Sequence, residues 1–322
     1  MAVLTSNGEP RFDRVRFVMG DAGLEASSGI MDSLYERGLR RTTRCGTTDQ
    51  LYDALDSDIV DVLMYDYDLL GNDFVEVMQS IRRKQHGRNP FLVIVATVRD
   101  SAFDTVRRLI AAGVDDLIRK PISVDRVFGS LNSFAVKRKP FTASYSYIGP
   151  TRRLTRRPDE APSQLIRVPN TLRSRAIEGV SDEELEQMVA NAVAVLADKR
   201  IESYGVEINI TCARVAEIYP GAIESHEDQL EVRTSLNRME IVADDLRNNC
   251  ADTPFSRVAD LATMLIAVSQ RIGKKPMGRA LVEVQLLDKL ALAIRRALST
   301  ERQSVNVMQE ISSIVANYTR LN

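Results

Sequence analysis

The 322-residue chain carries 43 Lys and Arg against 44 Asp and Glu, a formal net charge of −1, so nothing pulls the whole chain toward nucleic acid or an anionic membrane surface. Hydrophobic residues at 44% and charged residues at 27% are ordinary for a globular protein, and the length suffices for two domains with separate cores. Cys45, Cys212 and Cys250 are scattered and show no CxxC spacing, which excludes a disulfide framework or zinc site and points to a reducing compartment. The first residues, MAVLTSNGEPRFDR, lack the apolar run of a signal peptide, and no apolar stretch is long enough to span a bilayer. The chain is expected to be cytoplasmic, with no membrane partner.

The first 136 residues alternate strand and helix. Arg14 to Met19 is a strand that ends at Gly20-Asp21, and a helix from about Gly23 to Arg37 follows, with Leu24, Ile30, Met31, Leu34 and Tyr35 inward and Gly38 as its stop. A weaker strand, Arg40 to Cys45, precedes a helix that carries Leu51, Tyr52 and Leu55 on one face. The apolar run Val62 to Tyr65 stops abruptly at Asp66, with Asp68, a turn at Gly71, Asp73 and a helix through Val75, Met78 and Ile81 behind it. Phe91 to Ala96 is the most strand-like run in the chain and ends at Thr97, and a helix over Phe103–Ala112 is closed by Gly113. Residues 116–119 lead into Lys120-Pro121 and a last helix with Val124, Val127, Phe128, Leu131 and Phe134. Five βα units at this spacing predict an α/β fold, a (βα)5 doubly wound parallel sheet with helices on both faces.

In such a sheet the carboxyl ends of all strands share one edge, so Asp21, Asp66, Thr97 and Lys120 are expected to converge there. Two carboxylates can hold a hard cation such as Mg²⁺ through oxygen. A hydroxyl and an ammonium can bind and neutralise the oxygens of a transferring phosphoryl group. A single Asp after a strand would be read as a solvated turn. Four complementary groups at four strand ends point to phosphoryl chemistry, and a cis bond at Lys120-Pro121 would aim the lysine inward.

With these residues in place, the stretch 12–136 resembles the receiver domain of bacterial two-component response regulators. The matching features are Asp21 after strand one, the Asp66-x-x-x-x-Gly71-x-Asp73 loop, Thr97 after strand four and Lys120-Pro121 after strand five. The resemblance implies that Asp66 accepts a phosphoryl group from a sensor histidine kinase or a phosphotransfer protein. It implies that Asp21, Asp66 and the backbone carbonyl of Asp68 ligate Mg²⁺, that Thr97 hydrogen-bonds the phosphoryl oxygen and that Lys120 pairs with it. Three departures stand out. Gly20 occupies the place of a second acid, Leu117 that of a frequent switching aromatic, and Leu70 that of the proline before Gly71.

Residues 137–177 change character: ten Lys and Arg face only Asp159 and Glu160, and Pro140, Pro150, Pro158, Pro162 and Pro169 interrupt any helix. An extended basic linker is expected. Within it Tyr145 to Arg153 resembles a YxGPxRR segment of some alphaproteobacterial receiver-containing proteins. Its arginines read as a solubilising tether, with a grip on nucleic-acid phosphates or a dock for an acidic partner as the competing readings.

From 178 to 322 the pattern is helical and acidic, with 22 Asp and Glu against 16 Lys and Arg. Ser181-Asp-Glu-Glu184 is a capping box, and Leu185, Met188, Val189, Ala192, Val193 and Leu196 follow at helical spacing. Val206 to Ile210 alternates like a strand and is left open, because Arg214 to Ile218 continues as helix. Further amphipathic stretches over 230–249, 255–272, 280–298 and 305–318 complete an expected all-α bundle of five or six helices. His226 lacks the neighbours of a phosphorylatable histidine and reads as a surface residue. No metal, P-loop or nucleophile pattern occurs there, and no helix-turn-helix is evident.

The resulting expectation is a phosphoacceptor signalling protein and not an enzyme acting on a separate substrate, although the receiver would catalyse its own phosphoryl transfer and dephosphorylation. Its helical region would signal through an unknown downstream protein or through homodimerisation. The alternatives are a phosphorylation-controlled transcriptional regulator that binds DNA through the basic linker or the helices, which is less favoured, and a degenerate, phosphorylation-independent scaffold.

Overall fold

The computed structural model describes residues 10–21, 28–70, 73–99, 102–152, 164–219, 225–250, 256–275 and 279–298. Five strands, β1 (Arg16–Gly20), β2 (Arg41–Cys45), β3 (Val62–Asp66), β4 (Val93–Val98) and β5 (Asp116–Arg119), form one sheet in the order β2-β1-β3-β4-β5. Every pairing in it is parallel. All residues of β3 and β4 are buried, as expected of central strands covered on both faces.

Strand alternation divides the apolar residues between two clusters. Val18, Leu63, Tyr65, Ile94 and Ala96 meet Leu51 and Leu55 of α2 (Thr48–Ser57), Phe74, Val77, Met78 and Ile81 of α4 (Phe74–Arg82) and Leu109 of α5 (Phe103–Ala111). Phe17, Met19, Val62, Met64, Val93 and Val95 meet Leu34 of α1 (Ser28–Glu36) and Val127, Phe128, Leu131 and Ala135 of α6 (Val124–Val136). A single turn, α3 (Tyr67–Leu70), follows β3 directly. Thr47 and Ser123 cap α2 and α6 by accepting from the backbone N–H groups of Gln50 and Arg126, at 3.3 and 3.2 Å. Gly38 and Gly113 leave their helices with φ of +114° and +82°. The expected start of the first helix near Gly23 and the turn at Gly71 lie outside the described residues.

The chain divides into two compact units, residues 1–155 with 165–196, and residues 156–164 with 197–322. The stretch read as an extended linker is folded wherever it is described. Strands β6 (Phe141–Ala143) and β7 (Ile148–Pro150) pair antiparallel, and β8 (Gln164–Ile166) joins them in a three-stranded sheet. A short turn α7 (Thr171–Arg173) runs into a π-helical turn, Ser174–Glu178, closed by Gly179 in the left-handed region. Phe141, Ala143, Ile148 and Ile166 bury a third cluster with Ile59, Phe91 and Leu185, Val189 and Leu196 of the long helix α8 (Asp182–Ile218).

Buried ion pairs explain why this basic stretch packs down. Arg82 donates all five of its N–H groups: to Gly113 O (2.8 and 3.1 Å), Pro90 O (2.7 Å), Leu92 O (2.8 Å) and Asp115 Oδ2 (2.7 Å). Arg138 donates to Phe91 O, to Leu92 O at 3.0 Å and to the other oxygen of Asp115 at 3.3 Å. Both guanidinium carbons lie 5.0 Å from the centre of the Phe141 ring. Burial pushes Arg82 down to about 10, still cationic at neutral pH, because Asp115 opposes the shift. Arg175 pairs with Asp61 at 2.9 Å, with both side chains fully buried, and also with Asp182 in the first turn of α8. Arg16 reaches Asp182 and Asp58 at 2.9 and 2.6 Å. Two of the ten basic residues counted toward a nucleic-acid grip, Arg138 and Arg175, are therefore consumed inside the fold.

The second unit is helical. Its described elements are the continuation of α8, α9 (His226–Cys250), α10 (Ser256–Lys274) and α11 (Leu281–Leu298). The Val206–Ile210 stretch is helix, because Tyr204, Ile208, Cys212 and Val215 are buried at helical spacing, which overrides the local alternation. A glycine inside a helix costs ~1 kcal/mol relative to alanine, yet Gly205 sits where a Cβ would meet Leu298 Cδ1 at 3.0 Å. There Asn209 donates to Ala291 O on α11 at 2.9 Å. The amphipathic stretch over 305–318 lies outside the described residues. Among the described residues no helix is long and apolar enough to cross a membrane.

All three cysteines are buried, and burial followed by Asp53 raises the Cys45 thiol to about 11. The folded protein should show no thiol reactive toward a disulfide reagent at neutral pH, and all three should react on denaturation. A stoichiometric time course with a chromogenic disulfide checks this.

Candidate functional site

The carboxyl edge of the five-stranded sheet gathers the four residues at the strand ends. In the β3–β4 register Asp66 stands directly opposite Thr97, and Thr97 in turn stands opposite Ile118 of β5, two residues before Lys120. The ladder continues past the strands: the N–H of Lys120 donates to Val98 O at 2.8 Å, and that of Asp21 to Cys45 O at 3.1 Å. Gly20 is opposite Tyr65, which sets Asp21 one residue beyond the end of β1 beside the strand that carries Asp66.

Asp66 and Thr97 are both buried. Asp66 Oδ2 forms an ion pair with Lys120 Nζ, and Oδ1 accepts the backbone N–H of Asp68 at 3.1 Å. The Lys120-Pro121 bond is cis. Lys120 Nζ also lies 3.7 Å from Asp68 Oδ2, which receives Arg99 Nε at 3.0 Å. Two cations and two carboxylates thus alternate from the buried Asp66 out to Arg99, whose side chain is 77% exposed. Chemically this is a buried carboxylate with a donor on each oxygen, one of them the Lys120 ammonium, and with a threonine in register on the neighbouring strand.

Sequence reasoning anticipated these positions but not Arg99 as the partner of Asp68, nor Tyr65 as the neighbour of Gly20. Leu117 is partly buried against the α2–α4–α5 side of the sheet. Among the described residues no group of three or more His, Cys, Asp or Glu is arranged to hold a metal ion.

No protein-family model matches this chain, and no curated protein is similar to it in sequence.

The elements around the edge fix where its residues stand. β3 and β4 are buried along their whole length, and β4 is rich in β-branched residues, so their ends are fixed to the register of the sheet. On the opposite edge Asp61, immediately before β3, accepts the N–H of Arg16 at 2.9 Å and pairs with Arg175. Strand β3 is therefore pinned by a carboxylate at each end, one structural and one facing the site.

Proposed function

We propose that the first unit is a receiver-type domain in which Asp66 accepts a phosphoryl group, and that the chain is a response regulator of a two-component phosphorelay. The observation that carries this reading is the Asp66 carboxylate, buried at the end of a central parallel strand and paired with Lys120 beside Thr97. In the proposed step an Asp66 oxygen attacks the phosphorus of a phosphohistidine, or of a small phosphoryl donor. With phosphohistidine the new O–P bond forms as the P–N bond breaks, and the departing imidazole keeps the electron pair and takes up a proton; with an acyl phosphate the P–O bond breaks and the carboxylate leaves with the pair. Lys120 passes from the carboxylate to a phosphoryl oxygen, Thr97 donates its hydroxyl to another, and the Asp68 N–H holds the acyl oxygen.

The donor set at this edge fits a hard cation: the Asp21 and Asp66 carboxylates and the Asp68 carbonyl are all oxygen, and they would hold Mg²⁺. When bound, Mg²⁺ would offset charge on the transferring group. The charge of the phosphorylated edge would bias how it holds its surroundings, and the helical unit would transmit that bias through protein contact or dimerisation in the cytoplasm.

Exposure of the purified chain to acetyl phosphate with Mg²⁺ should add the mass of one phosphoryl group, lost in Asp66→Asn, by intact-protein mass spectrometry. Equal uptake by Asp66→Asn would overturn the assignment. Gel filtration before and after phosphorylation then reads whether the oligomeric state responds.

A further inference from the structure

We infer that Tyr65 and Gly20 are a packed pair that sets the number of carboxylates at the Asp66 edge, with the Tyr65 ring barring an acid from position 20. The inference rests on the proposed Mg²⁺ site and concerns why that site has the acids it has. A Cβ built on Gly20 would stand 2.0 Å from both Cδ2 and Cε2 of Tyr65 and 2.9 Å from Cγ. These are inner ring atoms and not the end of a flexible chain, so the ring itself would have to leave. The Gly20 backbone has no left-handed φ, which makes space, and not conformation, the reason for glycine here.

The ring has nowhere easy to go. Tyr65 is fully buried and faces Gly20 across the β1–β3 register. It packs in the cluster that holds Val18, Leu63, Phe74 and Ala96, with its centroid 6.3 Å from that of Phe74 at an edge-on angle of 60°. A carboxylate entering from position 20 would meet this apolar cluster, where an unpaired charge is strongly disfavoured. Among the described residues the Tyr65 hydroxyl has no hydrogen-bond partner, so it is the ring and not the hydroxyl that the fold uses. The cation affinity of the edge is thereby lowered by packing, since affinity for a hard cation follows the count of charged oxygen ligands. Tyr65 is a positioning residue in this account and touches no reacting atom.

The test titrates the full chain with Mg²⁺ by calorimetry in the absence of any phosphoryl donor, and pairs each titration with a denaturation midpoint. Gly20→Asp alone should unfold more easily and bind Mg²⁺ no more tightly than wild type. Gly20→Asp with Tyr65→Val should bind at least about tenfold more tightly, since even outer partners of metal ligands are worth 10–100-fold. Its stability should exceed the sum of the two single effects, and Gly20→Ala should show the same rescue by Tyr65→Val, which keeps the packing argument testable without a new charge. Tyr65→Phe keeps the ring and should bind Mg²⁺ as wild type does. Tighter binding by Gly20→Asp at unchanged stability, additive stabilities, a double variant no tighter than wild type, or a change in Tyr65→Phe would each overturn the inference. No phosphoryl donor is used, so a failure of Asp66 to accept phosphate leaves these outcomes readable.

Discussion

Asp115→Ala is expected to destabilise the first unit by about 3–5 kcal/mol, the range for removing one partner of a buried ion pair. Asp115 is the only carboxylate that the described residues offer to two buried guanidinium groups, with Oδ2 on Arg82 at 2.7 Å and Oδ1 on Arg138 at 3.3 Å. It also accepts the N–H of Ile94 at 2.9 Å, so alanine would leave one backbone donor and two cations with reduced company in a water-poor place. The carbonyls of Gly113, Pro90, Phe91 and Leu92 remain as acceptors, but they cannot offset the charge. Urea denaturation followed by far-ultraviolet circular dichroism measures the loss, and a change within about 0.5 kcal/mol, typical of a surface site, would refute it. Arg82→Met should cost less than Asp115→Ala, since a buried cation is replaced by an apolar chain of similar length and Asp115 keeps Arg138.

Lys120→Ala is expected to slow phosphoryl uptake at Asp66 by about 10²–10³-fold, the usual worth of one preorganised donor to a developing anion. Lys120 is the cation on the Asp66 carboxylate, and its side chain is mostly enclosed. Arg99 makes the contrast. It pairs with Asp68 and not Asp66, from a largely exposed position where ion pairs contribute at most about 1 kcal/mol. Arg99→Ala should therefore leave the rate nearly unchanged. A time course of intact mass with acetyl phosphate separates the two variants. Equal rates would show that the charge on Asp66 is handled elsewhere.

The parallel sheet was legible because its determinants are local and repetitive. Val62 to Tyr65 and Phe91 to Ala96 are apolar runs of strand length, each followed by an amphipathic helix, and only a sheet buried on both faces satisfies that pattern. Asp66, Thr97 and Lys120 were legible for a related reason. Topology brings parallel strand ends to one edge whatever the packing, so a residue's place at a strand end is enough to gather it.

Residues 137–177 were not legible in the same way. Proline and arginine density there reads as an open tether, and each arginine, taken alone, belongs in solvent. Arg138 and Arg175 are buried because Asp115 and Asp61, distant in sequence, lie where the fold delivers them. Asp61 and Arg82 were likewise hidden, one just outside an apolar strand and the other at the end of a helix. Val206 to Ile210 stayed open for a different reason: a five-residue alternation cannot be distinguished from a helix until the burial of Ile208 and Cys212 is known.

For the site itself, the sequence alone determined which groups stand at the carboxyl edge, because strand order and alternation place Asp21, Asp66, Thr97 and Lys120 there without reference to side-chain packing. Only the tertiary structure decided how those groups are engaged. Asp66 shares its two oxygens between Lys120 and the Asp68 N–H, Asp68 answers to Arg99, and the Tyr65 ring lies over Gly20. The physical reason is range: periodicity is a property of neighbours in the chain, whereas pairing and steric exclusion belong to atoms that meet only when the strands do.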